Sequence, residues 1–231
     1  MSYLLDAVAW ILDPAQWTGP FSLPVLIAQQ LGYTLVGVTI AALIAVPIGW
    51  AIGHSGRGRE VAVAISGAAR AVPSFGLLVL LVLVIGVTRK PEAAVTTFVV
   101  LAIPSLLAGA YTGIQAIDRA TIDSARAVGM SRWQLLWRVE VPLGLPLLLG
   151  GLRSAVLQVV ATVTVAAYIG LGGLGYPIIQ GIPLRDFAQV VAGALLVALL
   201  ALALDGLLAL AQRASIPRGV RVTALADPRG A

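Results

Sequence analysis

Few side chains in this sequence have the chemistry needed for catalysis or metal binding. The chain has no cysteine, and its one histidine, His54, has no cluster of carboxylates or thiols beside it. Thiolate chemistry and a disulfide framework are therefore excluded, and neither a metal site nor a bound cofactor is expected. No nucleophile, acid and base are grouped as an enzyme would need them, so the sequence predicts no catalytic residue.

The remaining polar groups of interest lie inside apolar runs. Gln158 is in the middle of such a run, where a side-chain amide normally needs a partner within the helix bundle. Arg153 stands near the start of the same run, where a long side chain can reach the interface. Asp205 lies deep in the last run. We expect it to pair with Arg213 or a basic loop, with a proton relay as the alternative.

Two threonines and the histidine have ordinary interpretations. Thr162 and Thr164 could line a passage, but a threonine hydroxyl also bonds to its own helix backbone, and we favour that interpretation. His54 lies near Arg57, just after the first apolar run. We expect it to be a solvated loop residue.

The elements that carry these groups are expected to be membrane-spanning helices. Of 231 residues, 59% are hydrophobic and 11% charged, and the mean hydropathy is +0.99, so polar side chains are too few to cover a water-soluble globule. A spanning helix needs roughly 20 apolar residues. Apolar runs fall at Leu26–Ile52, Val72–Val87, Ala93–Tyr111, Leu147–Ile169 and Phe187–Leu210. They predict an all-α integral membrane protein of about five transmembrane helices, with the second span starting early and kinked at Pro73.

Basic residues predict the orientation, because they concentrate in short cytoplasmic loops. Those that follow the first, third and fifth runs are Arg57, Arg59, Arg119, Arg126, Arg132, Arg138, Arg213, Arg218, Arg221 and Arg229. The breaks after the second and fourth runs contain only Arg89, Lys90 and Arg185. We therefore expect the N-terminus outside and the C-terminus in the cytoplasm. The net charge of +5 is explained in the same way, so a nucleic-acid partner is not expected.

Three regions follow from this pattern. Residues 1–23 form an N-terminal segment, in which Trp10 and Trp17 suit a short helix in the headgroup zone, with a frayed tail as the alternative. Residues 24–213 form the membrane domain. Residues 214–231 are expected to be a disordered cytoplasmic tail.

The longest break, between the third and fourth runs, is polar and basic but has a helical pattern. Asp123 suits the start of a short helix and Gly129 its left-handed end. A second helix is expected to be capped by Ser131, and Pro142 and Pro146 to break the chain before the fourth span. The apolar set of the second helix is Trp133, Leu135, Leu136, Val139 and Val141. The pattern predicts a helix-turn-helix between two spans.

The spacing of this segment resembles that of a known family. The motifs are Asp123-Ser124-Ala125, Gly129 and Val139-Glu140-Val141-Pro142. They resemble the cytoplasmic EAA loop of ABC importer permeases, which reads Glu-Ala-Ala, three residues, Gly, nine residues and Ile-x-Leu-Pro. Asp123, Ser124, Val139 and Val141 are conservative departures from it. The resemblance implies a permease of a type I, binding-protein-dependent importer, with this loop as a coupling helix in a groove of a separate ATPase.

Residue roles and partners follow from the same resemblance. The implied partners are a pair of ATP-binding subunits that hold ATP and Mg, a second permease copy or paralogue, and an external substrate-binding protein. The chain itself would be a non-catalytic, multi-pass subunit in the plasma membrane. Its arginines in this loop would pair with acidic groups on the ATPase, or simply mark the cytoplasmic face. The implied ATPase-coupling residues are Asp123, Ser124, Ala125, Arg126, Gly129, Ser131, Arg132 and Pro142.

Other stretches resemble the osmoprotectant branch of the family, which imports glycine betaine, carnitine, choline and related compounds. These stretches are Ala71–Phe75, Ile103–Ser105, Tyr111–Ile114, Gly129–Gln134 and Tyr168–Gly175. Methionine-importer permeases are the nearest competitor. A permanent cation favours aromatic faces over a charge buried in lipid, although aromatic residues at span ends are often interface anchors. Candidate pathway residues are Pro73, Ser74, Phe75, Tyr111, Gln158, Thr164 and Tyr168.

A glycine-rich stretch follows the fourth run at Gly170, Gly172, Gly173 and Gly175. It predicts a flexible or tightly turned segment that suits a re-entrant or gate element facing a binding protein. It lacks the Gly-Lys-Ser/Thr ending of a phosphate loop.

The rival class is a secondary transporter or channel that works without ATP. It predicts intramembrane charges arranged for ion coupling, or repeated half-domains. The sequence offers only the isolated Arg153 and Asp205.

Overall fold

The computed structural model describes residues 2–216, and the regular structure in that range is entirely helical. It includes a π-helical turn at Leu136–Glu140 and short 3₁₀ turns at Pro14–Trp17, Val87–Arg89 and Ala167–Ile169. The α-helices are α1 Ser2–Leu12, α2 Leu23–Ser55, α3 Arg59–Ala71, α4 Ser74–Ile85, α5 Lys90–Gln115, α6 Arg119–Ala127, α7 Arg132–Leu135, α8 Val141–Ala166, α9 Gly175–Leu184 and α10 Phe187–Ala214.

Four helical stretches in residues 2–216 are long and apolar enough to cross a membrane. They contain the first, third, fourth and fifth predicted runs, and they confirm an all-α protein that crosses the membrane several times. The stretches are Leu23–Ser55, Val87–Gln115, Arg132–Ile169 and Phe187–Ala214.

The second predicted span is divided between two helices: its apolar run, Val72–Val87, contains α4, and its expected earlier start is α3. α3 has 13 residues and α4 has 12, and the backbone is extended at Val72 and Pro73 between them. Proline restricts the residue before it to extended conformations, so the expected kink at Pro73 is a full break. At 1.5 Å per residue, α4 alone is about 18 Å long, which is shorter than the roughly 30 Å hydrocarbon core.

The core lies where α2, α5 and α8 cross. Phe98 and Val159 are fully buried there. The helix backbones come close at glycines: a Cβ built on Gly113 would lie 2.5 Å from the carbonyl oxygen of Gly144. Lipid supplies no hydrophobic push between helices, so such close backbone contacts are a main source of their association.

The N-terminal segment contains the predicted short helix. The ring of Tyr3 in α1 meets the ring of Phe187 in α10 edge-on, with centroids 5.9 Å apart. The indole Nε1 of Trp17 donates to the carbonyl oxygen of Ile11 at 2.8 Å. The predicted tail lies outside the described residues from Pro217 onward.

Candidate functional site

The first helix of the predicted helix-turn-helix is α6, and it begins earlier than expected. The carboxylate of Asp118 caps it by accepting from the backbone N–H of Ala120 at 3.2 Å. Asp123 is therefore inside the helix, exposed, with its carboxylate 3.9 Å from the guanidinium of Arg126. The expectation that Asp123 starts the helix was wrong, because Asp118 satisfies the free N–H groups one turn earlier.

The turn after α6 has the predicted left-handed glycine. Gly129 has a φ of +82°, and a Cβ built there would meet nothing within 4 Å. The backbone N–H of Met130 donates to the carbonyl oxygen of Ala125, which closes the end of α6. Since the space around it is open, crowding does not require glycine here. The left-handed backbone angle does.

Ser131 caps α7 as predicted. Its hydroxyl accepts from the N–H of Gln134, and the side chain of Gln134 accepts from the N–H of Ser131 at 2.9 Å, which is a capping box. Of the predicted apolar set, Leu135 is buried, whereas Trp133 is 69% exposed. Val128 is 76% exposed on the other side of Gly129. Two large apolar side chains are therefore exposed on either side of the turn.

The chain does not break before the fourth span. The N–H of Val141 donates to the carbonyl oxygen of Leu136, as in a π-helix, and α8 follows without interruption. Pro142 follows this π-helical turn directly, where the regular i to i−4 hydrogen bonding is already interrupted, so its missing N–H is tolerated. The expectation that Pro142 and Pro146 end the helix was therefore wrong, and a single helical stretch runs from the turn into the membrane domain.

His54 is not a solvated loop residue, contrary to expectation. It lies in the last turn of α2, and its Nδ1 is 2.5 Å from Oε2 of Glu140. Glu140 is only 5% exposed. Sequence reasoning missed this contact because 86 residues separate the two positions.

Arg153 and Asp205 pair with each other rather than with the interface or Arg213. Nε and Nη2 of Arg153 donate to the two carboxylate oxygens of Asp205 at 2.9 and 2.8 Å. Nη1 donates to the side chain of Gln212 at 3.0 Å, and Gln212 donates to the carbonyl oxygen of Pro146 at 2.9 Å. Both earlier expectations were wrong, because the closest opposite charge for each group is on the neighbouring helix.

Three candidate pathway residues are brought to one exposed side of α4 and α8. The rings of Phe75 and Tyr168 meet edge-on with centroids 5.2 Å apart, and these residues are 42% and 63% exposed. Gln158 is exposed, and its amide bonds to no other residue in the described part of the chain. Ser154 and Ala161 are exposed too, and their spacing places them with Gln158 on one stripe of α8. We call Phe75, Ser154, Gln158, Ala161 and Tyr168 the pathway stripe.

Other pathway candidates lie elsewhere. Tyr111 is buried in the core cluster. Thr164 is partly buried, and its hydroxyl donates to the carbonyl oxygen of Val160, as Thr162 does to that of Gln158, so the backbone interpretation of both threonines is confirmed. Pro73 caps α4 and is exposed, and Ser74 begins that helix, partly buried.

The glycine-rich stretch after α8 is tightly turned. Gly170, Gly172 and Gly173 have φ between +74° and +85°, and residues 171–175 are buried. Gln29 accepts from the N–H of Gly173 at 2.9 Å, and Gln30 accepts from the N–H of Leu174 at 3.1 Å.

Gln30 also joins this stretch to α8. Its side-chain nitrogen donates to the carbonyl oxygen of Val160 and to the hydroxyl of Thr164, and the residue is fully buried. Sequence reasoning missed Gln29 and Gln30. The signal was available, because two adjacent amides in an apolar run need partners as much as Gln158 does.

Comparison with known proteins gives the family. Residues 37–217 match the family model described as binding-protein-dependent transport system inner membrane component. The chain is 33% identical over 223 residues to the osmoprotectant import permease protein OsmW of Salmonella typhimurium, covering 94% of this chain and 100% of that protein. It is 30% identical over 193 residues to the glycine betaine/carnitine/choline transport system permease protein OpuCB of Bacillus subtilis, covering 84% and 88%.

The fold is also that of a solved transporter. An inward-facing structure of the MetNI methionine ABC transporter aligns with a TM-score of 0.76 at 20% identity, covering 89% of this chain and 99% of that one. At this identity the likeness concerns the fold alone. With the family model matching most of the membrane domain, the chain belongs to the family of inner membrane components of binding-protein-dependent transport systems, the permeases of ABC importers.

Proposed function

We propose that this chain is the permease of an importer for quaternary ammonium osmoprotectants such as glycine betaine, carnitine and choline. It works with a second permease copy or paralogue, an external substrate-binding protein and a pair of ATPase subunits, which hold ATP and Mg. Of the relatives named above, OpuCB carries glycine betaine, carnitine and choline in its name, and OsmW is named as an osmoprotectant import permease. The observation in the chain that supports the solute class is the aromatic pair of Phe75 and Tyr168.

The chemistry of the pathway stripe suits a permanent cation with a carboxylate or hydroxyl at its other end. Neither α4 nor α8 contains Asp or Glu, so no acid on these two helices neutralises a cation beside Phe75 and Tyr168. Aromatic faces attract such a cation without requiring a buried opposite charge. Gln158 is ten residues earlier on α8, about 15 Å away, so its amide could donate to the solute's carboxylate only at a different point along the pathway.

The stripe also explains why the amide of Gln158 has no partner among the described residues. A polar group at this depth of a membrane protein needs a polar neighbour. We infer that the neighbour is the solute, water in the pathway or the second permease, each of which would face this side of α4 and α8.

The helix-turn-helix is proposed to dock on the ATPase. The side chains around Gly129 combine exposed apolar groups, Val128 and Trp133, with exposed arginines, Arg126 and Arg132. Apolar anchors inside a charged rim are the usual composition of a protein interface. Of the residues expected to couple, Asp123, Ser124 and Ser131 are also exposed, whereas Ala125 supports the turn from beneath.

The proposed topology has five crossings, with the N-terminus outside. In it, α3 and α4 together form the second crossing, and the helix-turn-helix lies in the cytoplasm. The basic residues near the ends of α2, α6 and α10 support this orientation.

The test is ATP-driven uptake by the complex purified from its native membrane and reconstituted in vesicles with its binding protein. We expect radiolabelled glycine betaine to enter with external binding protein and internal ATP, and Gly129→Arg to lose both the ATPase and the uptake. Glu60→Arg, which adds an arginine at the exposed start of α3, is the control and should keep both. Uptake of methionine without betaine would reject the solute, and a wild-type chain that purifies with no ATPase would reject the coupled mechanism.

A further inference from the structure

α2 contacts the segment in front of α8 at two successive points. The rings of Trp50 and Trp137 meet edge-on with centroids 5.5 Å apart, and Nδ1 of His54 lies 2.5 Å from Oε2 of Glu140. Trp50 and His54 are four residues apart, and Trp137 and Glu140 three, so each pair lies on one face of its helix. The contact is thus continuous over about one helical turn.

The carboxylate of Glu140 has a specific reason to be where it is. The residue is 5% exposed, and acids are rarely buried unless they are paired. Within residues 2–216, its side-chain partner is His54, the sole histidine of the chain. Losing either side chain would leave the other polar group without its hydrogen bond in a mostly buried place.

The π-helical turn directs Glu140 towards α2. Its i to i+5 hydrogen bond, from Val141 to Leu136, adds one residue to the turn and rotates the following side chains by about 100° relative to α7. Leu135 can therefore stay buried in α7 while Glu140 faces α2. Single π-turns within α-helices recur at functional positions.

The same level of the molecule is closely packed on its other sides. A Cβ on Gly53 of α2 would lie 3.0 Å from the carbonyl oxygen of Tyr111 in α5. One on Gly113 of α5 would lie 2.5 Å from the carbonyl oxygen of Gly144 in α8. The helix-turn-helix leaves α5 at Gln115 and returns at α8, so both of its ends are attached to this packed level.

We propose that His54 and Glu140, supported by Trp50 and Trp137, are positioning residues that join the ATPase-docking segment to α2. We call these four residues the α2 clamp. With the clamp closed, movement of the docked segment shifts α2, α5 and α8 as one unit. With it open, the segment moves without α2, and ATP hydrolysis is uncoupled from transport. This inference rests on the proposed docking of the helix-turn-helix on an ATPase.

The experiment measures ATP hydrolysis by the reconstituted complex, with and without loaded binding protein, and ATP-driven uptake. His54→Ala and Glu140→Ala should keep the ATPase bound and basal hydrolysis unchanged, while uptake per ATP hydrolysed falls by about tenfold, a loss of roughly 1.4 kcal/mol of coupling. His54→Gln, whose amide can still bond to the carboxylate, should retain most of the coupling. Glu60→Ala, an exposed acid near the end of α2, is the control for removal of a carboxylate and should leave coupling unchanged.

Chemical rescue separates positioning from folding. Because the chain has no cysteine, His54→Cys with Glu140→Cys gives a unique thiol pair that a short bifunctional reagent can join. Without the cross-link, we expect the double variant to be uncoupled. With it, the variant should recover at least half of wild-type coupling. Unchanged coupling in the two alanine variants would overturn the proposal, as would cross-linking that does not restore it.

A wrong assignment of the solute can be distinguished from a wrong assignment of the clamp. If the wild-type complex takes up no betaine, the assignment to osmoprotectants is rejected. The clamp is then tested by ATP hydrolysis alone. Hydrolysis stimulated by binding protein loaded with a mixture of amino acids and compatible solutes is compared between the wild type and the same variants.

Discussion

Arg153 and Asp205 join α8 to α10 through two parallel hydrogen bonds, from Nε and Nη2 to the two carboxylate oxygens. A guanidinium and a carboxylate held in this way recognise each other by shape as well as charge. Gln212 extends the contact to the carbonyl oxygen of Pro146. The two charges that could have indicated an ion-coupled transporter are thus explained as a helix contact.

Removing one member of this pair should harm the protein more than removing both. Arg153→Met leaves the carboxylate of Asp205 without its partner in an apolar helix, and Asp205→Leu leaves the guanidinium in the same condition. The double variant has neither charge. In detergent we expect both single variants to have lower thermal midpoints than the double variant. A double variant at least as unstable as the worse single one would show that the pair is not the interaction that matters.

The fully buried Gln30 should be more important for stability than its neighbour Gln29. Gln30→Leu removes the acceptor for the N–H of Leu174 and the donor to Val160 and Thr164. It should lower the free energy of unfolding by about 2–4 kcal/mol. Gln29→Leu removes one bond, to Gly173, at a partly exposed site, and should cost about 1 kcal/mol. Equilibrium unfolding in mixed micelles measures both, and equal losses would contradict the assignment of Gln30 as the central partner of the loop.

Close packing of α5 on α8 predicts a steric cost at Gly113. A Cβ there would lie 2.5 Å from the backbone of Gly144, so Gly113→Ala must move the two helices apart and should cost about 1–3 kcal/mol. Gly206→Ala is the matched control, since nothing lies within 4 Å of its Cβ position. Alanine is the better helix former, so the control should be neutral or stabilising by up to about 1 kcal/mol. The same unfolding assay decides, and a harmless Gly113→Ala would mean that the helices are not in close contact.

Much of the architecture could be predicted from the sequence, because it depends on local patterns. Runs of apolar residues long enough to span lipid locate four of the helical stretches. The glycine with a left-handed backbone at Gly129 and the capping serine at Ser131 follow from side-chain types and spacing alone. The EAA-like spacing identified the family that the comparisons then showed.

What could not be predicted depends on contacts between distant parts of the chain. The pairs His54 with Glu140 and Arg153 with Asp205 require the crossing of helices to be known, since 86 and 52 residues separate them. Pro142 was misjudged because its effect depends on the π-turn before it. Tyr111 and Phe75 both look like aromatic residues near span ends, yet only the packing shows that Tyr111 is buried.

The open turn at Gly129 predicts that asparagine will replace glycine better than alanine does. Nothing surrounds its Cβ position, so the cost of Gly129→Ala is backbone strain at a φ of +82°, about 1–2 kcal/mol. Asparagine tolerates this conformation, so Gly129→Asn should keep more bound ATPase than Gly129→Ala. Quantitative co-purification measures the ratio. If both variants bind the ATPase equally well, the left-handed turn does not control docking.

The aromatic pair on the pathway stripe should act through its ring faces. Tyr168→Ala and Phe75→Ala each remove one face, and a cation–π contact of about 1–2 kcal/mol corresponds to a loss of roughly 5–30-fold in the maximal rate of betaine uptake at saturating binding protein. Tyr168→Phe keeps the face and removes only the hydroxyl, so it should transport nearly as well as the wild type. Leu80→Ala, an exposed apolar residue of α4 outside the stripe, controls for loss of surface area.

Charge on the solute distinguishes this role from simple packing. 3,3-Dimethylbutanoate has the shape of glycine betaine but a neutral carbon in place of the quaternary nitrogen. Its binding to the wild-type permease–ATPase complex without binding protein should be weaker than that of betaine, and Tyr168→Ala should lower betaine binding towards the level of the analogue. If Tyr168→Ala weakens both ligands by the same factor, the ring acts by shape alone, and the proposed recognition of the cation at Phe75 and Tyr168 is wrong.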